Sequence, residues 1–234
     1  MTDRPPGAPP LAHEVLAVVL RARERRLEVL LWQRALPPFA GRWALPGGDV
    51  RPDEDFGASI RRQLAEKVDL AGVAHLEQFA TASDPDRSPA RRLVATAYVG
   101  LVPTDTEPDV PPDTAWHPVA HLPSMAGDHG TFVRIARDRL RARLSYTNLG
   151  FALAPAAFTM SELRDIYVAA LGHEVSAVNL QRVLDRRRLL EPTGEAAPPG
   201  RSGGRPARRY RFAVHEVQVT DEFAALRPPS TRPR

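Results

Sequence analysis

Apolar residues fall into blocks along the chain, and their period changes from block to block. Residues 15–20 and 27–32 are β-rich apolar runs separated by the charged stretch 21–26, which predicts a hairpin. Residues 37–52 carry Pro-Pro, Gly-Arg-Trp and Pro-Gly-Gly and read as loop, with one short buried stretch at 43–45. From Asp53, a residue suited to an N-cap, Phe56, Ile60 and Leu64 recur every fourth position and define the apolar face of a helix ending near Val68. A further strand-like run spans 93–102, after an exposed loop at 82–90. Phe132, Ile135, Leu140 and Leu144 supply the core face of the next long helix, which closes a first domain.

A fresh start follows. Thr159, Met160, Ser161 and Glu162 form a capping-box pattern ahead of Leu163, Ile166, Tyr167 and Leu171, and Gly172 stops that helix. Ser176 caps a second helix with Val178, Leu180, Val183 and Leu184 on its buried face, ending near Arg188. Two helices joined by a tight turn containing glycine are a helix-turn-helix unit. Residues 189–192 and 210–214 then read as short strands around a Gly/Pro/Arg-rich loop, a wing. The pattern predicts two domains, 11–150 and 155–215, with 1–10 and 226–234 disordered.

Composition narrows the function classes. A chain of 234 residues can bury two modest cores. No apolar run approaches the roughly 18 residues needed to span a membrane. The sequence has no cysteine, which excludes disulfides and thiolate metal sites. Pro and Gly stand in the first ten residues where a secretory signal needs an apolar core, so a cytoplasmic location is expected. Every Lys/Arg position except Lys67 is an arginine, a bias that base composition can explain by itself. The net charge of +4 matters less than its distribution. Between 176 and 212, Arg182, Arg186, Arg187, Arg188, Arg201, Arg205, Arg208, Arg209 and Arg211 face only Asp185, Glu191 and Glu195, as on a phosphate-binding surface.

Gly48, Glu54, Arg62 and Glu66 stand at spacings that resemble the Nudix box, and the flank from Gly41 through Trp43 and Pro46 to Gly47 and Gly48 extends the resemblance. It implies an α/β fold, the Nudix-type α/β/α sandwich with a mixed sheet, followed here by a C-terminal winged helix-turn-helix. In Nudix hydrolases the glutamates closing the box hold Mg²⁺ on a diphosphate, because a hard cation takes carboxylate oxygens. The corresponding positions here are Gln63, Glu66 and Lys67, on one helix face at i, i+3 and i+4. An amide is a poor substitute for a carboxylate, and an ammonium repels a divalent ion. The closing Gly of the box is Asp69. The expectation is a pocket without hydrolysis, with no catalytic residue, no metal and no required cofactor. Glu54 and Arg62 read equally well as a salt bridge fixing the loop. For a nucleotide effector, Phe39 and Trp43 offer stacking surface beside Gly47 and Gly48, and Arg34, Arg42, Arg87 and Arg91 offer guanidinium groups to phosphate. Trp43 also reads as a core residue, and each arginine singly as a solvated one.

The segments 158–172, 190–194 and 204–212, together with the Nudix-like half, closely resemble the NrtR family of Nudix-related transcriptional regulators. That resemblance implies a homodimeric repressor of NAD metabolism genes on a palindromic double-stranded operator, with ADP-ribose, NAD or a related nucleotide as effector and release of DNA by effector. The stretch Ser88 to Arg92 departs from the Asp-Pro-Arg-Gly usual there. In a winged helix the second helix of the unit enters the major groove. Its exposed face here carries Asn179, Arg182 and Arg186, flanked by its cap Ser176 and by Gln181 and Arg187, while Arg205 and Arg208 in the wing suit phosphate contacts. Two other readings remain open at this point. One is an active Nudix hydrolase of ADP-ribose or another nucleoside diphosphate derivative with an appended module; the other is a regulator whose Nudix half senses nothing.

Overall fold

The computed structural model describes residues 11–70, 72–197 and 206–221. The ends expected to be disordered and the outer wing loop, including Arg201 and Arg205, lie outside the described residues. The chain divides into two compact units. One holds residues 11–20, Glu28–Leu101 and Glu107–Ala136; the other holds Arg21–Leu27, Val102–Thr106 and residues from 137 onward.

The first unit is built on a mixed sheet. Strands β1 (Ala12–Arg23) and β2 (Arg26–Gln33) turn at Glu24 and Arg25, both with positive φ, as a two-residue hairpin loop requires. β3 (Trp43–Ala44), β4 (Gly47–Asp49), β5 (His75–Ala82), β6 (Leu93–Leu101) and β7 (Thr114–Pro118) complete it in the order β3-β2-β1-β6-β5, with β4 on β1 and β7 on β2. β1 runs parallel to β6 from Ala12↔Leu93 to Leu20↔Leu101. Residues 15–20 of β1 are all 2% exposed or less. A strand buried on both faces must be covered on both, which is why the run reads as continuous apolar sequence rather than as alternation.

Helix α1 (Phe56–Val68) is capped by Asp55, not Asp53: the Asp55 carboxylate accepts from the Ala58 amide at 2.7 Å. Ile60, Leu64 and Val68 are buried, whereas Phe56 sits in the first turn, part exposed, its ring 4.2 Å from that of His13. Asp69 ends the helix in the left-handed conformation, with φ 49°, where the Nudix box carries glycine. In α2 (His129–Tyr146) the buried stripe is Phe132, Val133, Ala136, Leu140 and Leu144. Ile135, expected on that face, is 44% exposed. Three residues past Phe132, at about 100° per residue, it lies roughly 60° beyond the nearer edge of that stripe.

In the second unit β8 (Phe158–Thr159), β9 (Leu190–Ala196) and β10 (Arg208–Phe212) form an antiparallel sheet ordered β8-β10-β9. α3 (Met160–Leu171) opens on a complete capping box, Thr159 accepting from the Glu162 amide while Glu162 accepts from the Thr159 amide at 2.6 Å. It closes on Gly172 at φ 75°. α4 (Ala177–Arg186) follows from the Ser176 cap. Phe158, Leu163, Ile166, Tyr167, Leu180, Leu184, Leu189 and Phe212 are buried as the core of this unit, with the Phe158 and Phe212 rings 5.5 Å apart. Only Leu180 and Leu184 of α4 are buried. Val178, expected in the core, is 79% exposed, and Val183 is half-buried.

Candidate nucleotide pocket and nucleic-acid interface

A cavity of about 330 Å³ opens in the first unit. β1 brings Glu14 and Leu16 to it, the end of β2 brings Trp32 and Arg34, and β4 brings Gly47 and Gly48. Phe39, Asp49, Lys67 of α1, Arg87 and Arg91, and residues 126–129 leading into α2, are also part of the lining. β4 approaches β1 so closely that a Cβ on Gly47 would lie 2.1 Å from the Val15 carbonyl oxygen, so no other residue fits there. Six of the eight expected effector residues line the cavity: Arg34, Phe39, Gly47, Gly48, Arg87 and Arg91. Arg42 and Trp43 do not. Arg42 Nη1 donates to Ser124 Oγ at 2.7 Å, and the Trp43 ring packs edge-on against His117 at 4.2 Å. Arg42 leads into β3 and Trp43 opens it, and these contacts hold both side chains outside the lining.

The charges of the pocket are unequal in what they are free to do. Arg87, 4% exposed, is clamped: it donates to Asp128 through Nε at 2.9 Å and Nη2 at 3.1 Å, and to Glu14 through Nη1 at 2.7 Å. Arg91 is paired with Asp49 at the rim. Lys67 Nζ donates to the Gly47 carbonyl and lies 4.8 Å from the centre of the Trp32 ring, close enough for a cation–π contact. Burial, then the nearby Arg34, lower its pKa. Arg34 lies 5.9 Å from the same ring, and its Nε donates to the Pro38 carbonyl at 3.0 Å. Trp32 is itself fixed by donating to the Leu45 carbonyl at 3.1 Å. His129 is almost wholly buried, and desolvation, with Arg87 and Arg34 nearby, pushes its pKa down to about 3. Its Nδ1 accepts from the Leu45 amide at 3.0 Å, so the neutral ring carries its proton on Nε2.

The remaining box residues form a network beside the cavity. Arg62 donates to Glu54 at 2.9 Å and to Glu66 at 3.1 Å. The hydrogen bond from Arg62 holds the Glu54 carboxyl down at about 2. Gln63 is buried; with its amide oriented to satisfy both neighbours, it donates to the Gly47 carbonyl at 3.1 Å and accepts from Arg62 at 3.1 Å. Sequence reasoning missed Trp32, Glu14, Asp128 and His129 as pocket residues and had Lys67 only as a repelling charge. A charged residue directly ahead of the buried run 15–20 was the signal available for Glu14.

In the second unit α4 presents Asn179, Arg182 and Arg186 to solvent, with Gln181 half-buried beside them. Asn179 Oδ1 accepts from Arg182 Nη2 at 2.8 Å, and Ser176 caps the helix. Exposed Val178 adds a methyl surface next to this polar set, which the sequence reading had assigned to the core. Arg208 is exposed on β10. Arg187 is corrected: its side chain is 10% exposed and Nη2 donates to the Ser145 carbonyl at 2.8 Å and to Asp221 at 2.9 Å, so it holds the fold. Expected Arg205 lies outside the described residues.

The NUDIX domain family matches residues 11–135, and the NrtR DNA-binding winged helix domain family matches residues 150–212. The chain is 32% identical over 200 residues to the ADPR responsive transcriptional repressor NtrR of Acinetobacter baylyi, covering 82% of this chain and 78% of that protein. It is similar to Shewanella oneidensis NrtR complexed with a 27mer DNA, at 29% identity and a TM-score of 0.72, covering 85% of this chain and 92% of that one. The NUDIX domain of the same Shewanella protein complexed with ADP ribose matches at 30% identity and a TM-score of 0.51, covering 60% of this chain and 99% of that one. With a Nudix sheet and pocket followed by a winged helix that its own family recognises, the chain belongs to the NrtR family of Nudix-related transcriptional regulators.

Proposed function

We propose that the chain is a sequence-specific DNA-binding repressor of NAD and pyridine-nucleotide metabolism genes, released from its operator by ADP-ribose or a related nucleotide held in a catalytically inactive Nudix domain. The observation that carries this reading is the occurrence in one chain of a cation-lined Nudix pocket and an exposed Asn179–Arg182–Arg186 face on the second helix of a winged helix-turn-helix. Relatives support each half: one is named as an ADPR responsive repressor, and one is solved with DNA and, for its NUDIX domain, with ADP ribose. In this chain Asn179 would read an adenine edge and Arg182 and Arg186 guanine edges, each worth about 1 to 3 kcal/mol of discrimination. Arg208 would hold phosphate, which sets affinity rather than sequence. One recognition helix makes a small interface, so two copies would pair as a homodimer on a palindromic site.

A Mg²⁺ ion of the hydrolase kind does not fit the residues present. Lys67 places an ammonium on the Gly47 carbonyl, Gln63 offers an amide, and Glu54 and Glu66 are engaged by Arg62. Among the described residues no group of three or more His, Cys, Asp or Glu side chains could hold a metal. On this reading the domain binds without hydrolysing. The test is binding of the purified protein to the DNA upstream of its own gene at fixed salt, against a scrambled competitor. Specific binding, lost in an Arg182→Ala, Arg186→Ala double variant, is the expected result, together with no Mg²⁺-dependent turnover of ADP-ribose. Binding of scrambled DNA with equal affinity, or turnover at ordinary enzyme rates, would overturn the reading.

A further inference from the structure

The pocket holds four cationic side chains, Arg34, Lys67, Arg87 and Arg91, against the carboxylates of Glu14, Asp49 and Asp128. Those carboxylates are already engaged by Arg87 and Arg91. Among the described residues neither Lys67 nor Arg34 makes an ion pair, yet both are drawn to the fixed Trp32 ring at the cavity wall. Unbalanced cations in a partly buried site are costly until an anion arrives. Lys67 is also anchored through the Gly47 carbonyl, an acceptor that either a metal or an N–H donor can satisfy. It stands at the helix position where the Nudix box would place a metal-binding glutamate.

We propose that the Lys67 ammonium is the resident cation of this pocket and neutralises the diphosphate of the nucleotide effector in place of a divalent metal, so that effector binding does not need Mg²⁺. Arg34 is its partner, and the Trp32 ring holds both charges toward the cavity. The substitution that disables hydrolysis thereby supplies the charge that makes the site a metal-free receptor for a nucleoside diphosphate derivative. This inference rests on the nucleotide-sensing reading of the pocket, and the test separates the two.

Full-length protein is titrated calorimetrically with ADP-ribose in EDTA and in excess Mg²⁺. The expected affinity is the same in both within about twofold, Lys67→Met weakens it by about tenfold or more, and Lys67→Arg, which keeps a cation, retains most of it. Lys67 is the one lysine of the sequence, so protein labelled with ¹³C-lysine carries a single side-chain signal, expected to shift when ADP-ribose is added in EDTA. Binding by the unsubstituted protein that collapses in EDTA overturns the inference while leaving nucleotide sensing intact, and so does a lysine signal that stays put as ADP-ribose saturates. The wild-type titration and the lysine signal require no variant, so a Lys67→Met chain that fails to fold does not shield the proposal. No binding of ADP-ribose or NAD in either buffer overturns the sensing reading itself, and this inference with it.

Discussion

Burial at the start of α2 keeps the His129 ring neutral far into acid, and that ties the pocket to pH. Its folded pKa, about 3, lies below the ordinary 6.5, so the unfolded chain takes up a proton that the folded one refuses. The stability involved is intact above pH 6.5 and is lost as pH falls toward 3, at up to about 1.4 kcal/mol per pH unit. His13 and His117, also lowered by burial, act in the same direction. Glu54, held at about 2 by Arg62, adds its own loss only below about pH 4.5. Urea unfolding between pH 7 and 5 is expected to show a clear decline that is shallower in His129→Gln, whose amide oxygen can still accept from Leu45. An unchanged slope would remove His129 from the account. At Gly150 the constraint is steric: a Cβ there would lie 2.5 Å from Tyr167 Oη, a buried hydroxyl with no hydrogen-bond partner among the described residues. Gly150→Ala is expected to cost about 1 to 3 kcal/mol in urea titrations. Adding Tyr167→Phe, which removes the crowded oxygen, should recover part of that loss. Neither contact was legible in sequence, because each joins residues whose proximity only the fold creates. Gln63 and Lys67 read as departures from the Nudix box only through the resemblance, which says what each position would hold; that Lys67 settles on Trp32 was not legible.

Element ends were readable where caps wrote them, as in the Thr159–Glu162 box and Gly172 around α3. Faces were harder. Ile135 and Val178 are apolar by type, yet each falls outside its helix's buried stripe, and only the neighbouring elements decide which stripe is covered. The short β7, half-buried along most of its length, and the two-residue β8 gave no period long enough to recognise. For α4 the consequence is a division of labour among neighbours. Val178→Ala is expected to change stability by less than about 0.5 kcal/mol, since it buries little. If its methyls meet a thymine methyl, as apolar side chains do in the major groove, the same change relaxes base preference at one position. Arg187→Ala should do the opposite, costing about 1 to 3 kcal/mol through the lost Asp221 and Ser145 contacts while leaving DNA affinity of the folded protein unchanged. Unfolding curves and competition binding on the same preparations distinguish the two outcomes.

At the scale of the molecule, the two-part architecture and its family were legible because motif spacing, capping and local charge all pointed one way. The pocket's inventory was partly legible: Arg42 and Trp43 belong to the same segment as true lining residues but turn elsewhere. The proposed homodimer rests on the small size of a single recognition helix, and sedimentation at micromolar concentration is expected to give twice the mass of one chain. A monomer there would leave the operator reading without its geometry. Sensing and DNA binding in one chain require a coupling free energy between the sites, and coupling of this kind typically changes affinity by about 5- to 150-fold. The most direct measurement is the dissociation constant for the upstream DNA, by fluorescence anisotropy at fixed salt, with and without saturating ADP-ribose. A rise within that range is the result expected of a nucleotide-released repressor; a dissociation constant that does not move, in protein shown by calorimetry to be saturated with ADP-ribose, would contradict it.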